Sequence, residues 1–123
     1  MNGNNNLLLD TNIVLYLLSG DKTIATLLND KDVYISFITE MELLSYKKLT
    51  TSEETKIKNF LSDIFIIEMN SAIKMKAIQI RKNNALKLPD SIIAATAEHL
   101  NLPLLTSDEG FKKISSLINL YYQ

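Results

Sequence analysis

Short apolar runs alternate along this chain with segments of helical spacing, and that alternation constrains the fold more than any other feature. It argues for a parallel sheet with helices on both faces, joined by right-handed crossovers. Leu7 to Asp10 reads as a buried strand, and Ile13 to Leu18 as the helix after it. Ser19-Gly20 breaks that helix, and Asp21 is placed to cap a second one running to about Asn29. Val33 to Ser36 is the second strand, and Ile38 to Leu49 has helical spacing. Thr51-Ser-Glu-Glu54 matches a capping box that opens a helix to about Ser62. Ile64 to Ile67 is the third strand, and Asn70 or Ser71 caps a helix to about Lys82. After a loop, Pro89 suits the first turn of a helix reaching His99. Leu104 to Thr106 is a fourth strand, Asp108 opens a short helix, and Leu117 to Tyr121 is a candidate edge strand. The expected fold class is α/β, with three α/β/α layers around a central parallel sheet of four to five strands.

At 123 residues, 46% of them apolar, the chain fits one domain with a buried core and no need of a disulfide or structural metal. No repeat, linker or low-complexity segment divides it, and residues 1–6 read as a flexible tail. Apolar runs such as Ile13 to Leu18 fall short of the roughly 18 residues a membrane span requires. Met1 to Asn6 carries no Lys or Arg and does not read as a signal peptide. The expectation is a cytoplasmic protein with no membrane partner.

Scarcity removes whole classes of chemistry. Without cysteine there is no disulfide, thiolate nucleophile or Cys-based metal site. His99 is the only histidine, which excludes paired-histidine nucleases, HExxH metalloproteases and multi-His zinc sites. Glycines at positions 3, 20 and 110 are too far apart for a GxGxxG or Walker A loop. Polar chemistry must therefore come mainly from carboxylates, hydroxyls, amides and lysines. Setting aside four acids for a metal site leaves 13 basic against 10 of the 14 acidic residues, a mildly basic remainder.

Ligands in an open parallel sheet bind beyond the carboxyl ends of the strands. Asp10 ends strand one, Asp108 follows strand four by two residues, and Asp90 begins a helix whose Ala94, Ala95 and Ala97 permit close packing on the sheet. Glu40 and Glu42 compete for a fourth place. At about 100° per residue they point roughly 200° apart, so only one can face the site. With Ile38 at the centre of the buried face, Met41, Ser45, Leu49 and Glu42 fall beside it and Glu40 lies opposite, which selects Glu42. Two carboxylates about 5 Å apart repel by about 3 kcal/mol at an effective dielectric of 20. Four would cost on the order of 10 kcal/mol, comparable with the stability of a small domain. Cations or protons must offset this, and an all-oxygen ligand set suits Mg²⁺ or Mn²⁺.

Four segments carry a family resemblance: Leu-Leu-Leu-Asp10-Thr-Asn12, Ile-Ser-Phe-Ile-Thr-Glu-Met-Glu42-Leu-Leu, Leu-Pro-Asp90-Ser-Ile-Ile-Ala-Ala-Thr-Ala and Leu-Leu-Thr106-Ser-Asp108-Glu-Gly-Phe. In this order they resemble the PIN-domain ribonucleases, and among them the VapC-like toxins of bacterial toxin–antitoxin pairs, over nearly the whole chain. The resemblance implies a PIN-like fold in which Asp10, Glu42, Asp90 and Asp108 surround one or two Mg²⁺ or Mn²⁺ ions, with Asn12 and Thr106 as polar supports. Many relatives carry a further acid where this chain has Gly110, which argues for one strongly held ion. The implied reaction is hydrolysis of RNA by in-line attack, leaving a 5′-phosphate and a 3′-hydroxyl. The implied partners are RNA and a cognate antitoxin. Homodimerisation follows from the resemblance alone, since no apolar stripe marks an interface.

Plainer roles compete with these. Asp108 and Asp90 suit helix caps, and Asn12 could cap the first helix. Glu40 reads as an exposed helical residue, and His99 as a favourable charge near a helix C-terminus. Arg81, Lys82 and Lys87 precede Asp90 and are the candidate RNA-binding residues, a solvated face being the alternative. Two rival functions remain. An aspartate-based phosphatase expects a second Asp two residues after the first, where Asn12 stands. The other is a PIN-like module that binds RNA or protein without cutting.

Overall fold

A computed structural model describes residues 5–114 and 119–121. The elements in chain order are β1 (Asn6–Leu9), α1 (Thr11–Leu18), α2 (Lys22–Leu28), β2 (Asp32–Ser36), α3 (Phe37–Leu44), α4 (Thr51–Ser62), β3 (Phe65–Ile67), α5 (Ser71–Asn83), α6 (Leu88–Leu100), β4 (Leu104–Thr106), a 3-10 helix (Glu109–Lys113) and β5 (Asn119–Tyr121). The five strands are all parallel, in the order β3-β2-β1-β4-β5. β1 is central. The chain winds outward from it to β3 on one side and returns through β4 to β5 on the other.

Strand periodicity divides the core into two layers. Leu8 of β1 and Leu104 of β4 face α5 and α6, packing with Ile73, Ala77, Ile93 and Ala94. Leu7 and Leu9 face the opposite way, with Val33, Ile35 and Leu105, and meet Ile13 and Val14 of α1, Ile24 of α2, Leu43 of α3 and Ile57 of α4. These two faces make the three α/β/α layers. Ala94, Ala95 and Ala97 are all fully buried, so α6 lies close on the sheet as their small size allows.

Caps set the helix boundaries. Asp21 accepts the Ile24 N–H at 2.9 Å and starts α2, and Asn70 does the same for Ile73 at 2.8 Å and starts α5. Asn101, at φ 54, ends α6 in the left-handed conformation that asparagine tolerates and turns the chain into β4.

Several sequence expectations shift. β1 begins at Asn6, whose side chain is buried, so that residue belongs to the sheet rather than to a tail; residues 1–4 lie outside the described residues. The capping box is one residue earlier than expected: Thr50 is the N-cap and Glu53 its reciprocal partner, at 3.1 and 2.9 Å. α3 ends at Leu44 instead of continuing to Leu49, with Ser45 as its C-cap. Its buried residues are Thr39 and Leu43, whereas Met41 is 57% exposed and Ser45 is exposed. The face had been centred on Ile38 alone, but α3 packs at the end of the sheet, with Phe37 and Ile38 against one core layer and Leu43 in the other. Residues 115–118, where the edge strand was expected to start, lie outside the described residues.

Candidate active site

Parallel strands end at a common edge, and the point where the winding direction reverses, between β1 and β4, is where ligands bind in such sheets. Asp10 stands there, immediately after β1 and only 4% exposed. It caps α1, its Oδ1 accepting the Ile13 N–H at 3.0 Å. Its Oδ2 accepts the hydroxyl of Thr106. Register explains the meeting: Leu9 lies opposite Leu105, and the Asp10 N–H reaches the Leu105 carbonyl at 3.3 Å, which delivers Thr106 beside the carboxylate. The Thr106 oxygen in turn accepts the Asp108 N–H at 3.0 Å. Asp108 is exposed and caps the 3-10 helix, its Oδ1 accepting the Gly110 N–H at 2.8 Å.

Glu42 comes from the other neighbour of β1. Ser36 is both the last residue of β2 and the N-cap of α3, so no loop separates strand from helix and Glu42 stays near the strand ends. Its Oε1 accepts the Thr11 hydroxyl at 2.5 Å, and the Thr11 oxygen lies 3.0 Å from that of buried Thr39. Asp90 is half-buried in the first turn of α6. Because α6 leads into β4 by a crossover, its N-terminus lies at the edge where the parallel strands end.

The acids act on one another. Burial raises the Asp10 pKa above its ordinary value; the Thr106 and Ile13 hydrogen bonds oppose this, while the charges of Asp108 and Glu42 add to the rise. Burial likewise raises Asp90, reinforced by Asp108, Glu42 and Asp10 and opposed by Lys87. Asp90 is therefore within electrostatic reach of Asp10, Glu42 and Asp108, and Asp10 within reach of Glu42 and Asp108. Among the described residues, however, no three acids or histidines already enclose an ion-sized space.

The other expected residues divide. Thr106 joins Asp10 to Asp108, as a polar support would. Asn12 is exposed in the first turn of α1, and since Asp10 is the N-cap there, the capping role considered for Asn12 is overturned. Lys87 is exposed just before α6 and close enough to Asp90 to lower its pKa, whereas Arg81 and Lys82 are exposed in the last turn of α5. Glu40 is half-buried rather than exposed. His99 occupies the last turn of α6, its Nε2 3.5 Å from the Asn70 amide. A Cβ at position 110 would lie 3.1 Å from Asp108 Oδ1, so glycine there leaves room for the Asp108 carboxylate. The sequence points to Thr11 and Thr39 only by a hydroxyl directly after Asp10 and another three residues before Glu42.

No helix among the described residues is long and apolar enough to cross a membrane. The family model for the PIN domain matches residues 7–117. A chain of a toxin–antitoxin complex from Klebsiella pneumoniae is 34% identical, with a TM-score of 0.78 over 91% of this chain and 95% of that one. A chain of VapBC2 from Rickettsia felis, bound to a DNA fragment from its promoter, is 24% identical, with a TM-score of 0.83 over 96% and 99% of the two chains. A chain of DNA-bound VapBC from Salmonella typhimurium is 21% identical, with a TM-score of 0.79 over 94% and 97%. No curated protein matches the sequence significantly.

Proposed function

The chain belongs to the PIN domain family, and on that premise we propose that it is a metal-dependent endoribonuclease, the cytoplasmic toxin of a toxin–antitoxin pair. The observation that carries the reading is the gathering of acids beyond the ends of β1 and β4, where Thr106 links Asp10 to Asp108 and the charges of Glu42 and Asp108 reach both Asp10 and Asp90. A toxin role and an antitoxin partner are supported by the Klebsiella relative, which was solved as a toxin–antitoxin complex. Association of two copies rests on family resemblance.

The donor chemistry fits Mg²⁺ or Mn²⁺. All four groups are hard oxygen ligands, and at Asp90 one lysine opposes three acids, so the cluster lacks a compensating positive charge. Asp10, Glu42, Asp90 and Asp108 would hold the ion, with Gly110 in place of a further acid favouring one well-held site. A divalent ion there supplies a lowered pKa for bound water and charge stabilisation at a phosphate.

The chain's own groups do the rest. Asp10 is fixed by the Ile13 N–H and the Thr106 hydroxyl, so one carboxylate keeps a set direction. Asp90, half-buried in the first turn of α6, is a carboxylate placed to orient or deprotonate the attacking water. Asn12, exposed beside Asp10, is available to a phosphate oxygen, and Arg81, Lys82 and Lys87 supply cations for the RNA backbone. In-line hydrolysis leaves a 5′-phosphate and a 3′-hydroxyl.

The deciding experiment incubates the purified protein with total RNA, with and without Mn²⁺, and sequences the new 5′-phosphate ends. Discrete Mn²⁺-dependent ends support the reading, and their absence at every ion concentration rejects it. The alternative is a PIN-like module that binds RNA or protein without cutting; Mn²⁺ bound at the acids with no cleavage would select it.

A further inference from the structure

Glu42 lies on a helix that also carries Thr39, and the two are linked through a residue of another helix. Thr11 donates to Glu42 Oε1 at 2.5 Å, within the range of charge-assisted O–H···O bonds. A threonine hydroxyl has one proton. Because Thr11 spends it on Glu42, the 3.0 Å contact between Thr11 and Thr39 must be donated by Thr39. The direction of the chain is thereby fixed, from Thr39 through Thr11 to Glu42.

Thr39 departs from the usual behaviour of helical threonines. Thr26, Thr55 and Thr96 each return the hydroxyl to the carbonyl four residues earlier. Thr39 is in the first turn of α3, where the residue four back belongs to β2, and its hydroxyl crosses to α1 instead. It is fully buried. A buried hydroxyl requires a partner, and this one finds it in the residue that holds a carboxylate of the cluster.

We propose that Thr39 and Thr11 form a hydroxyl relay that positions Glu42, holding Oε1 in one orientation so that the carboxylate is presented ready-made to a divalent ion. The inference rests on the metal-centre reading above. Neither threonine is a catalytic residue; both act through Glu42. Thr106 serves Asp10 in the same manner, so each of these two carboxylates has its own hydroxyl strut.

The test measures Mn²⁺ binding to the whole protein by electron paramagnetic resonance, with thermal unfolding in parallel. Loss of a group supporting a metal ligand typically weakens the metal 10- to 100-fold. Thr11→Val is expected to raise the Mn²⁺ dissociation constant about 10-fold or more and Thr39→Val about 3- to 10-fold, while Thr11→Ser, which keeps the hydroxyl, stays within about 3-fold of wild type. Thr11→Val and Thr39→Val variants that bind Mn²⁺ as wild type does would overturn the relay while leaving the metal centre standing. A Thr11→Ser variant that folds but binds as weakly as Thr11→Val would also overturn it, by showing that shape rather than the hydroxyl matters. Wild-type protein that binds no Mn²⁺ would instead reject the metal-centre reading, and the relay's role with it.

Discussion

Thr106 donates its hydroxyl to Asp10 across 96 positions of sequence while accepting the Asp108 N–H at 3.0 Å, so one side chain joins two of the four acids. Thr106→Val removes that bond and leaves a buried carboxylate with one fewer donor. The expected outcome is destabilisation by about 1–3 kcal/mol in urea unfolding. RNA cleavage should fall about 10- to 100-fold, in line with the loss of a ligand's supporting group. Since Thr106 holds the Asp10 pKa down, its loss should also move the acid limb of the cleavage pH profile upward. Thr106→Ser should recover most of all three quantities.

Asp10→Asn keeps an oxygen able to accept the Ile13 N–H and so retains the α1 cap. Circular dichroism and unfolding should show a folded protein, while Mn²⁺-dependent cleavage drops below about 1% of wild type. Undiminished cleavage by this variant would remove Asp10 from the site.

The raised pKa values of Asp10 and Asp90 carry a definite sign. Between the ordinary carboxylate pKa and the raised one, the folded protein binds more protons than the unfolded chain, so stability falls as pH rises through that window. In EDTA, the two groups should therefore lower the unfolding temperature as pH rises from the ordinary carboxylate value of 3.8 through the raised ones. Asp90→Asn should flatten this dependence, and thermal scans across a pH series check it. Glu53, held below its ordinary pKa by Thr50, acts in the opposite sense, and its contribution is lost only at more acid pH.

Adding a divalent ion should reverse the penalty. With Mn²⁺ at 100 times its dissociation constant, binding to the folded form alone adds about 2.7 kcal/mol. Wild-type protein should melt several degrees higher in Mn²⁺ than in EDTA, and Asp10→Asn should show almost no difference between the two.

Lys87 lies near Asp90, whereas Arg81 and Lys82 are one connection away at the end of α5. Replacing all three with Gln in the inactive Asp10→Asn background should weaken RNA binding. It should also reduce the slope of log K against log salt by about 2, as expected for three single-strand phosphate contacts. Fluorescence anisotropy across a salt series measures this, and an unchanged slope would place the RNA elsewhere.

Much of this arrangement was legible because it is written locally. Asp10, Asp90 and Asp108 each sit where one element gives way to another, and a parallel sheet gathers such junctions at one edge. Glu42 emerged from helical phase against Glu40, although the face inferred for α3 was partly wrong: Met41 is exposed because the helix ends early and lies across the end of the sheet. The bonds of Thr11 could not be read, since its partners are 28 and 31 residues away and meet it only when α1 and α3 approach. Asn12 drew attention by its place in a motif, while the neighbouring threonine makes the bonds. The shift of the capping box from Thr51 to Thr50 has a simple origin: adjacent threonines give two near-equivalent registers, and only Glu53 reaches back with correct geometry.

The central position of β1 beside β4 has a consequence during synthesis. β1 is made well before β4, its neighbour on one side, since residues 10–103 lie between the two strands. A nascent chain halted before residue 104 can pair β1 with β2 and β2 with β3 but has neither the strut for Asp10 nor Asp108. Assembly of the acidic centre thus waits until β4 and Asp108 have been made.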